Sequence, residues 1–207
     1  MIREIGWWNL QKACWQISAW NASRKDAPPL TMSVNISVKQ FSENLVAEVQ
    51  HLLHDIALPP GILKLEITES MVMTDPSSAI EILAKIRALG VLLVVDDFGT
   101  GYSSLSYLLR LPLDTLKIDQ SFIEAVTKRG GGIEIVRTIL LLANNLGLDV
   151  VAEGVETGEQ AALLKELKCD FAQGFYFSKP LEAEEAGALL TEYPFRLQGE
   201  TADSKMS

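Results

Sequence analysis

Six short apolar runs punctuate the chain, at residues 32–37 (MSVNIS), 62–68 (ILKLEIT), 91–97 (VLLVVDD), 115–119 (TLKID), 149–153 (DVVAE) and 171–177 (FAQGFYF). Most lack strict apolar–polar alternation, as strands buried on both faces of a parallel sheet do. Helical periodicity fills the spaces between them, over residues 41–56, 103–109, 133–146, 159–167 and 182–191. A further helix opens at Asp75-Pro76, a capping residue followed by proline at the first helical position. Gly147 supplies a helix stop, and Thr157-Gly-Glu-Gln160 has capping-box spacing. A helical pattern also runs from Met1 to Trp20 and carries Trp7, Trp8, Trp15 and Trp20, for which core packing is the default expectation. Strand and helix alternating six times predict right-handed crossovers and a parallel α/β fold. Residues 129–132 (RGGG) read as a flexible loop, and no internal repeat is visible.

The strand ends carry the chemistry. They deliver Asn35, Glu66, Asp96 with Asp97, Lys117 with Asp119, Glu153 and Gln173. In an eight-stranded α/β barrel all such ends converge on one face, where active sites sit; an open doubly wound sheet gathers them only near a switch point. Polar ends on all six runs favour the barrel. Taken singly, each has a plainer reading. Asp97 or Ser103 can cap a helix, Asp96 can pair with Lys117, and Glu153 can serve the turn at Gly154. Taken together, Asn35, Glu66, Asp96, Asp97 and Glu153 are hard oxygen ligands, and clustered carboxylates repel unless cations are present. Such a set selects magnesium, manganese or calcium over zinc. Two ions about 3.5–4 Å apart, bridged by a carboxylate such as Asp96, are a common device for phosphodiester cleavage. His51 and His54 read as a solvated helix face, and Gly99-Thr100-Gly101 is too short for a phosphate-binding loop.

Composition narrows the partners. The 207 residues are 48% apolar and carry a net charge of −9. That length fits one domain with a sizeable core. The negative charge argues against DNA or RNA polymers and leaves open a small phosphorylated ligand held through metals. Cys14 and Cys169 show no metal spacing and read as buried free thiols in a reducing cytoplasm. No run reaches membrane-spanning length.

The motifs SVNIS (33–37), LEITES (65–70), DDFGTGYSSL (96–105), LKID (116–119), AEGVET (152–157) and AQGFYFSKPL (172–181) resemble, in order, those of the EAL domains of bacterial cyclic-di-GMP phosphodiesterases. The resemblance implies a TIM-type (β/α)8 barrel that hydrolyses cyclic di-GMP to the linear dinucleotide with Mg2+ or Mn2+, two ions in all. It implies Asn35, Glu66 and Asp96 as ligands of one metal, with Asp96 and Asp97 reaching toward the second. Glu153 would be a ligand or the base that activates water, and Lys117 would contact that water or the phosphate. Asp119 and Gln173 would hold the site together. Glu69 would brace the loop 97–104, which in the family couples metal binding to homodimer contacts. Glu156 and Pro180 would face the guanine bases.

One departure stands out. The family takes its name from a Glu-Ala-Leu strand near the start of the domain, whose Glu is a metal ligand, and no such strand is found here. Six strands against the eight of a closed barrel lead to the same expectation. The reading is therefore an N-terminally truncated EAL domain over residues 1–193, an incomplete barrel, followed by a polar, disordered tail at 194–207. Unpaired edges are expected at the first and last strands, with an aromatic patch on the opening helix, weakened metal binding and impaired turnover. The alternatives are a receptor module that binds cyclic di-GMP without cutting it and a non-functional interaction fragment.

Overall fold

The computed structural model describes residues 2–99, 108–129 and 132–191. The chain opens with α1 (Ile2–Ser23), followed by β1 (Met32–Asn35), α2 (Glu43–Ile56) and β2 (Leu63–Thr68). Next come α3 (Glu69–Thr74), α4 (Pro76–Ala88), β3 (Leu92–Phe98) and β4 (Thr115–Ile118). The remainder is α5 (Gln120–Arg129), α6 (Gly132–Leu146), β5 (Asp149–Ala152), α7 (Gly158–Glu166), β6 (Phe171–Ala172) and α8 (Ala183–Thr191). The six strands form one parallel sheet in the order of the sequence. Among the described residues β1 pairs only with β2 and β6 only with β5, which makes them the two edges of the described sheet.

Register explains how the sheet divides its side chains. Val34 lies beside Leu65, Leu65 beside Leu93, Val95 beside Leu116, and Leu116 beside Val150. These residues share one face, because strand side chains alternate and aligned neighbours point the same way. All are buried, and they join Leu10, Cys14 and Ile17 of α1 and Leu45, Val49 and Leu52 of α2 in the core. The opposite face carries the other parity: Asn35, Lys64, Glu66, Val94, Asp96, Thr115, Lys117 and Glu153. The polar strand ends therefore share the concave side.

Local signals are borne out where they rest on backbone chemistry. Asp75 accepts a hydrogen bond from the Ser78 N–H ahead of Pro76. The capping box at Thr157 and Gln160 is complete. Gly147 ends α6 with a left-handed φ of 69°.

Several expectations need correction. The strand expected over 171–177 is two residues long, because Gly174 folds the chain over Val155. A Cβ there would lie 2.2 Å from the Val155 carbonyl oxygen. Residues 175–177 become a turn, with Tyr176 and Phe177 packed edge to face. Arg129 and Gly132 are helix ends rather than loop. Gly132 is buried against α5, where a Cβ would lie 2.7 Å from the Ala125 carbonyl carbon. Helices α3 and α5 have no counterpart in the sequence reading. Of the four tryptophans, Trp7 and Trp20 pack against the core, whereas Trp8 and Trp15 are each 58% exposed. Cys14 is buried, but Cys169 is only half-buried; both are free. Residues 103–107 of the expected helix at 103–109, most of the loop 97–104 with its dimer contacts, and the tail at 194–207 lie outside the described residues; Leu108 is helical and buried. No described helix is long and apolar enough to cross a membrane.

Candidate active site

Lys117 is the centre of the site. It lies in β4, a strand buried along its whole length, and is itself 4% exposed. Its Nζ is 2.6 Å from Glu153 Oε1, 2.7 Å from Glu66 Oε2 and 3.2 Å from Asp96 Oδ1. One ammonium thus faces three carboxylates, from β2, β3 and the end of β5. Burial by itself lowers the pKa of Lys117, but hydrogen bonds to Glu153 and Glu66 and their charges outweigh it and hold the group well above its ordinary value. Burial raises the Glu153 carboxyl, and the Lys117 hydrogen bond only partly opposes this. Gln173 Nε2 donates to Glu153 Oε1 at 2.7 Å and fixes that carboxylate from the β6 side.

Asp97 reaches the site by a break in the strand pattern. Strict alternation would turn it away from Asp96. The register between β3 and β4 shifts between Val95 and Phe98, and Asp97 adopts a left-handed φ of 55°. Bulges re-aim side chains in this way, and aspartate tolerates that conformation. Asp96, Asp97 and Glu153 can each offer an oxygen, all within 4.8 Å of one another. Burial, then the charges of Asp96 and Asp119, raise the Asp97 pKa. Three hard oxygen donors brought this close together fit a divalent cation of the magnesium or manganese type.

The other expected residues fall into two groups. Glu69 is buried, and its Oε2 accepts the Gly99 N–H at 3.3 Å, bracing the start of the loop after β3. Asp119 accepts the Ser121 N–H at 3.0 Å and caps α5, so its contact is with the helix and its influence on the site is through charge. Asn35 is exposed on edge strand β1 beside Glu66 and is not hydrogen-bonded into the Lys117 cluster. Glu153, Glu156 and Gln173 line one cavity of ≈ 220 Å³ with Gln120, Gly154, Gly174 and Phe175. Pro180 is exposed and outside that lining. A larger crevice of ≈ 490 Å³ lies at the start of β5, at the other end of the strands; the acid cluster places the chemistry at the smaller one.

Comparison with known proteins agrees with this geometry. Residues 1–180 match the EAL domain family. The chain belongs to that family, and its six strands form a half-barrel of the EAL α/β barrel. It is 41% identical over 196 residues to the cyclic di-GMP phosphodiesterase NbdA of Pseudomonas aeruginosa, covering 94% of this chain and 25% of that protein. It is 39% identical over 195 residues to the signaling protein YkoW of Bacillus subtilis, covering 94% of this chain and 24% of that protein. The chain therefore spans about a quarter of the length of these curated relatives. Among solved structures, the PaMucR phosphodiesterase in complex with c-di-GMP superposes with a TM-score of 0.85 at 41% identity, covering 89% of this chain and 74% of that one. The EAL domain of Mycobacterium smegmatis DcpA gives a TM-score of 0.86 at 40% identity, covering 94% and 86%.

Proposed function

We propose that this domain hydrolyses one phosphodiester bond of cyclic di-GMP to give the linear dinucleotide, with Mg2+ or Mn2+ as cofactor. The observation that carries the reading is the Asp96–Asp97–Glu153 cluster bound to a buried Lys117 at the strand C-termini. The likeness to a phosphodiesterase named for this substrate supports it. Asp96, Asp97 and Glu153, with Asn35 and Glu66, would hold two ions, which when bound acidify water and offset the charge of the scissile phosphate.

The chain's own residues do the rest. Glu153, with its raised proton affinity, accepts the proton of the attacking water as the new P–O bond forms; the ester P–O bond breaks, and the departing ribose oxygen, which stays on the linear product, takes a proton from solvent. Gln173 keeps that carboxylate aimed. Lys117 keeps its proton and balances the carboxylates as negative charge builds on the phosphate. Glu69 and Asp119 hold the loop and helix around these groups. Glu156, on the wall of the cavity, and Pro180 would contact the bases. Among the described residues β1 and β6 are paired on one side only; where those edges are open to water, electrostatic stabilisation at the site is weaker and turnover slower than in a closed barrel is expected.

The test is cyclic di-GMP turnover by the purified chain with Mg2+ and with Mn2+, beside Glu153→Gln. A metal-dependent rate that falls ~100-fold or more in the variant is expected. Binding without turnover by the wild type would replace this reading with that of a receptor module. Neither binding nor turnover would leave the interaction fragment.

A further inference from the structure

Gln160 occupies the third position of α7, where a capping box uses Glu or Gln equally well to accept a backbone N–H. Here the side chain does more than cap. It is 6% exposed. Its Oε1 accepts the N–H of Thr157 at 3.1 Å and also that of Glu156 at 2.8 Å. Its Nε2 donates at 3.4 Å to the carbonyl of Ile123, which lies in a different helix, α5. Of the two capping-box residues, glutamine can accept on one side and donate on the other, whereas an ionised glutamate only accepts. A glutamate would cap α7 and leave α5 untethered.

What α5 touches gives the contact its meaning. A Cβ on Gly99, just after Asp96 and Asp97, would meet the Phe122 ring at 2.9 Å. A Cβ on Gly154, just after Glu153, would meet the Gln120 Cβ at 2.4 Å. The first turn of α5 therefore packs directly beneath the loop after β3 and the loop after β5. Gln160 ties the far end of the second loop, at Glu156 and Thr157, to the same helix. Glu156 is exposed and its carboxylate has no partner among the described residues, so the backbone positions it: Gln160 holds its N–H, and Val155 before it is paired with Gln173 and Tyr176.

We infer that Gln160 is a positioning residue that locks the loop 153–157 to α5 and so sets where Glu156 meets the substrate. This rests on the proposed function for its substrate, and on the hydrogen bonds alone for the clamp. The role is in binding: the Glu153 side chain has its own restraints in Gln173 and Lys117, whereas beyond Val155 the loop at Glu156 and Thr157 is held through Gln160.

Two readouts on the full chain test this. The first is amide hydrogen exchange at Glu156 and Thr157, followed by NMR in wild type, Gln160→Met and Gln160→Glu. Gln160→Met should lose protection at both amides, and Gln160→Glu should keep it, because the accepting oxygen remains. Unchanged protection in Gln160→Met overturns the clamp, whatever the activity. The second is cyclic di-GMP kinetics. Gln160→Met should raise KM ~10-fold with kcat within ~3-fold of wild type. In a Glu156→Gln background the same change should have no further effect on KM, since the group it positions is gone. A fall in kcat at unchanged KM, or KM effects of the two substitutions that simply multiply, overturns the positioning role. If Gln160→Met does not fold, Gln160→Glu carries the kinetic test: it retains the cap, and an unchanged KM would show that the tie to Ile123 is idle. A wild type that neither binds nor cleaves cyclic di-GMP overturns the proposed substrate, while the exchange result still decides whether Gln160 holds the loop at Glu156 and Thr157.

Discussion

Replacing Lys117 with methionine removes one positive charge and keeps most of the side-chain volume. The ammonium sits within 3.2 Å of Glu66, Asp96 and Glu153, and the Lys117 and Glu66 side chains are 5% and 7% exposed. Breaking a buried ion pair from one side costs about 3–5 kcal/mol, because the partner is left charged and desolvated. Here three partners are left facing one another. In EDTA at pH 7, with a urea slope of about 2 kcal/mol/M for a domain of this size, the unfolding midpoint should fall by about 2 M. Adding Mg2+ or Mn2+ should restore much of the loss, since a cation bound at 100 times its Kd contributes about 2.7 kcal/mol. The wild type should respond less to the same addition, because Lys117 already neutralises part of the cluster. The deficit should also shrink at pH 5, where a carboxylate without its cation can take up a proton. The assay is urea unfolding followed by circular dichroism, with and without metal. A midpoint within about 0.5 M of wild type in EDTA would refute the reasoning: Lys117 would then not be the charge that permits three carboxylates to be buried together.

Gly174→Ala should destabilise the fold by at least about 2 kcal/mol: the new Cβ meets the Val155 backbone at 2.2–2.3 Å, and backbone cannot move aside cheaply. Thermal unfolding of the variant checks this, and an unchanged midpoint would contradict it. Cys14 gives the pH dependence. Burial pushes its thiol from 9.0 up to about 11. The folded state thus holds the proton more tightly than the unfolded chain. The resulting stability is fully present below pH 9 and is lost as pH rises through 9 to 11, by about 2–3 kcal/mol in all. Cys14→Ala should flatten that alkaline limb in a pH series of urea melts.

The strands, their parallel order and the family were legible because each rests on a signal a few residues long. The apolar runs, the Asp75-Pro76 helix start, the Thr157 capping box and the Gly147 stop are local events, and the fold keeps all of them. Residues 171–177 misled because an aromatic-rich run suits a strand as well as a turn packed on a core edge. What decides between them is the approach of Gly174 to Val155, nearly twenty residues away in sequence. Helix α5 escaped although Phe122, Ile123 and Val126 have the spacing of one helix face, because three large apolar residues in ten make a short signal. The exposure of Trp8 and Trp15 was equally invisible, since helix periodicity does not say which sides of α1 are covered.

The site divides in the same way. Sequence by itself determined that six parallel strands would end in polar residues, that these are oxygen donors with one lysine among them, and that the motifs are those of an EAL domain. A two-residue period also determines that Glu66, Asp96, Lys117 and Glu153 can share a face once the register is known. Only the tertiary structure decided the register, and with it the convergence of three acids on Lys117. It also decided the bulge at Asp97. Alternation assigns that residue to the wrong side, and only the positive φ and the shifted pairing with β4 bring its carboxylate back to Asp96 and Glu153. The tie from Gln160 to Ile123 belongs to the same class. Capping is written in four adjacent residues, but a hydrogen bond to a second helix depends on how two distant segments pack, and no local pattern encodes that.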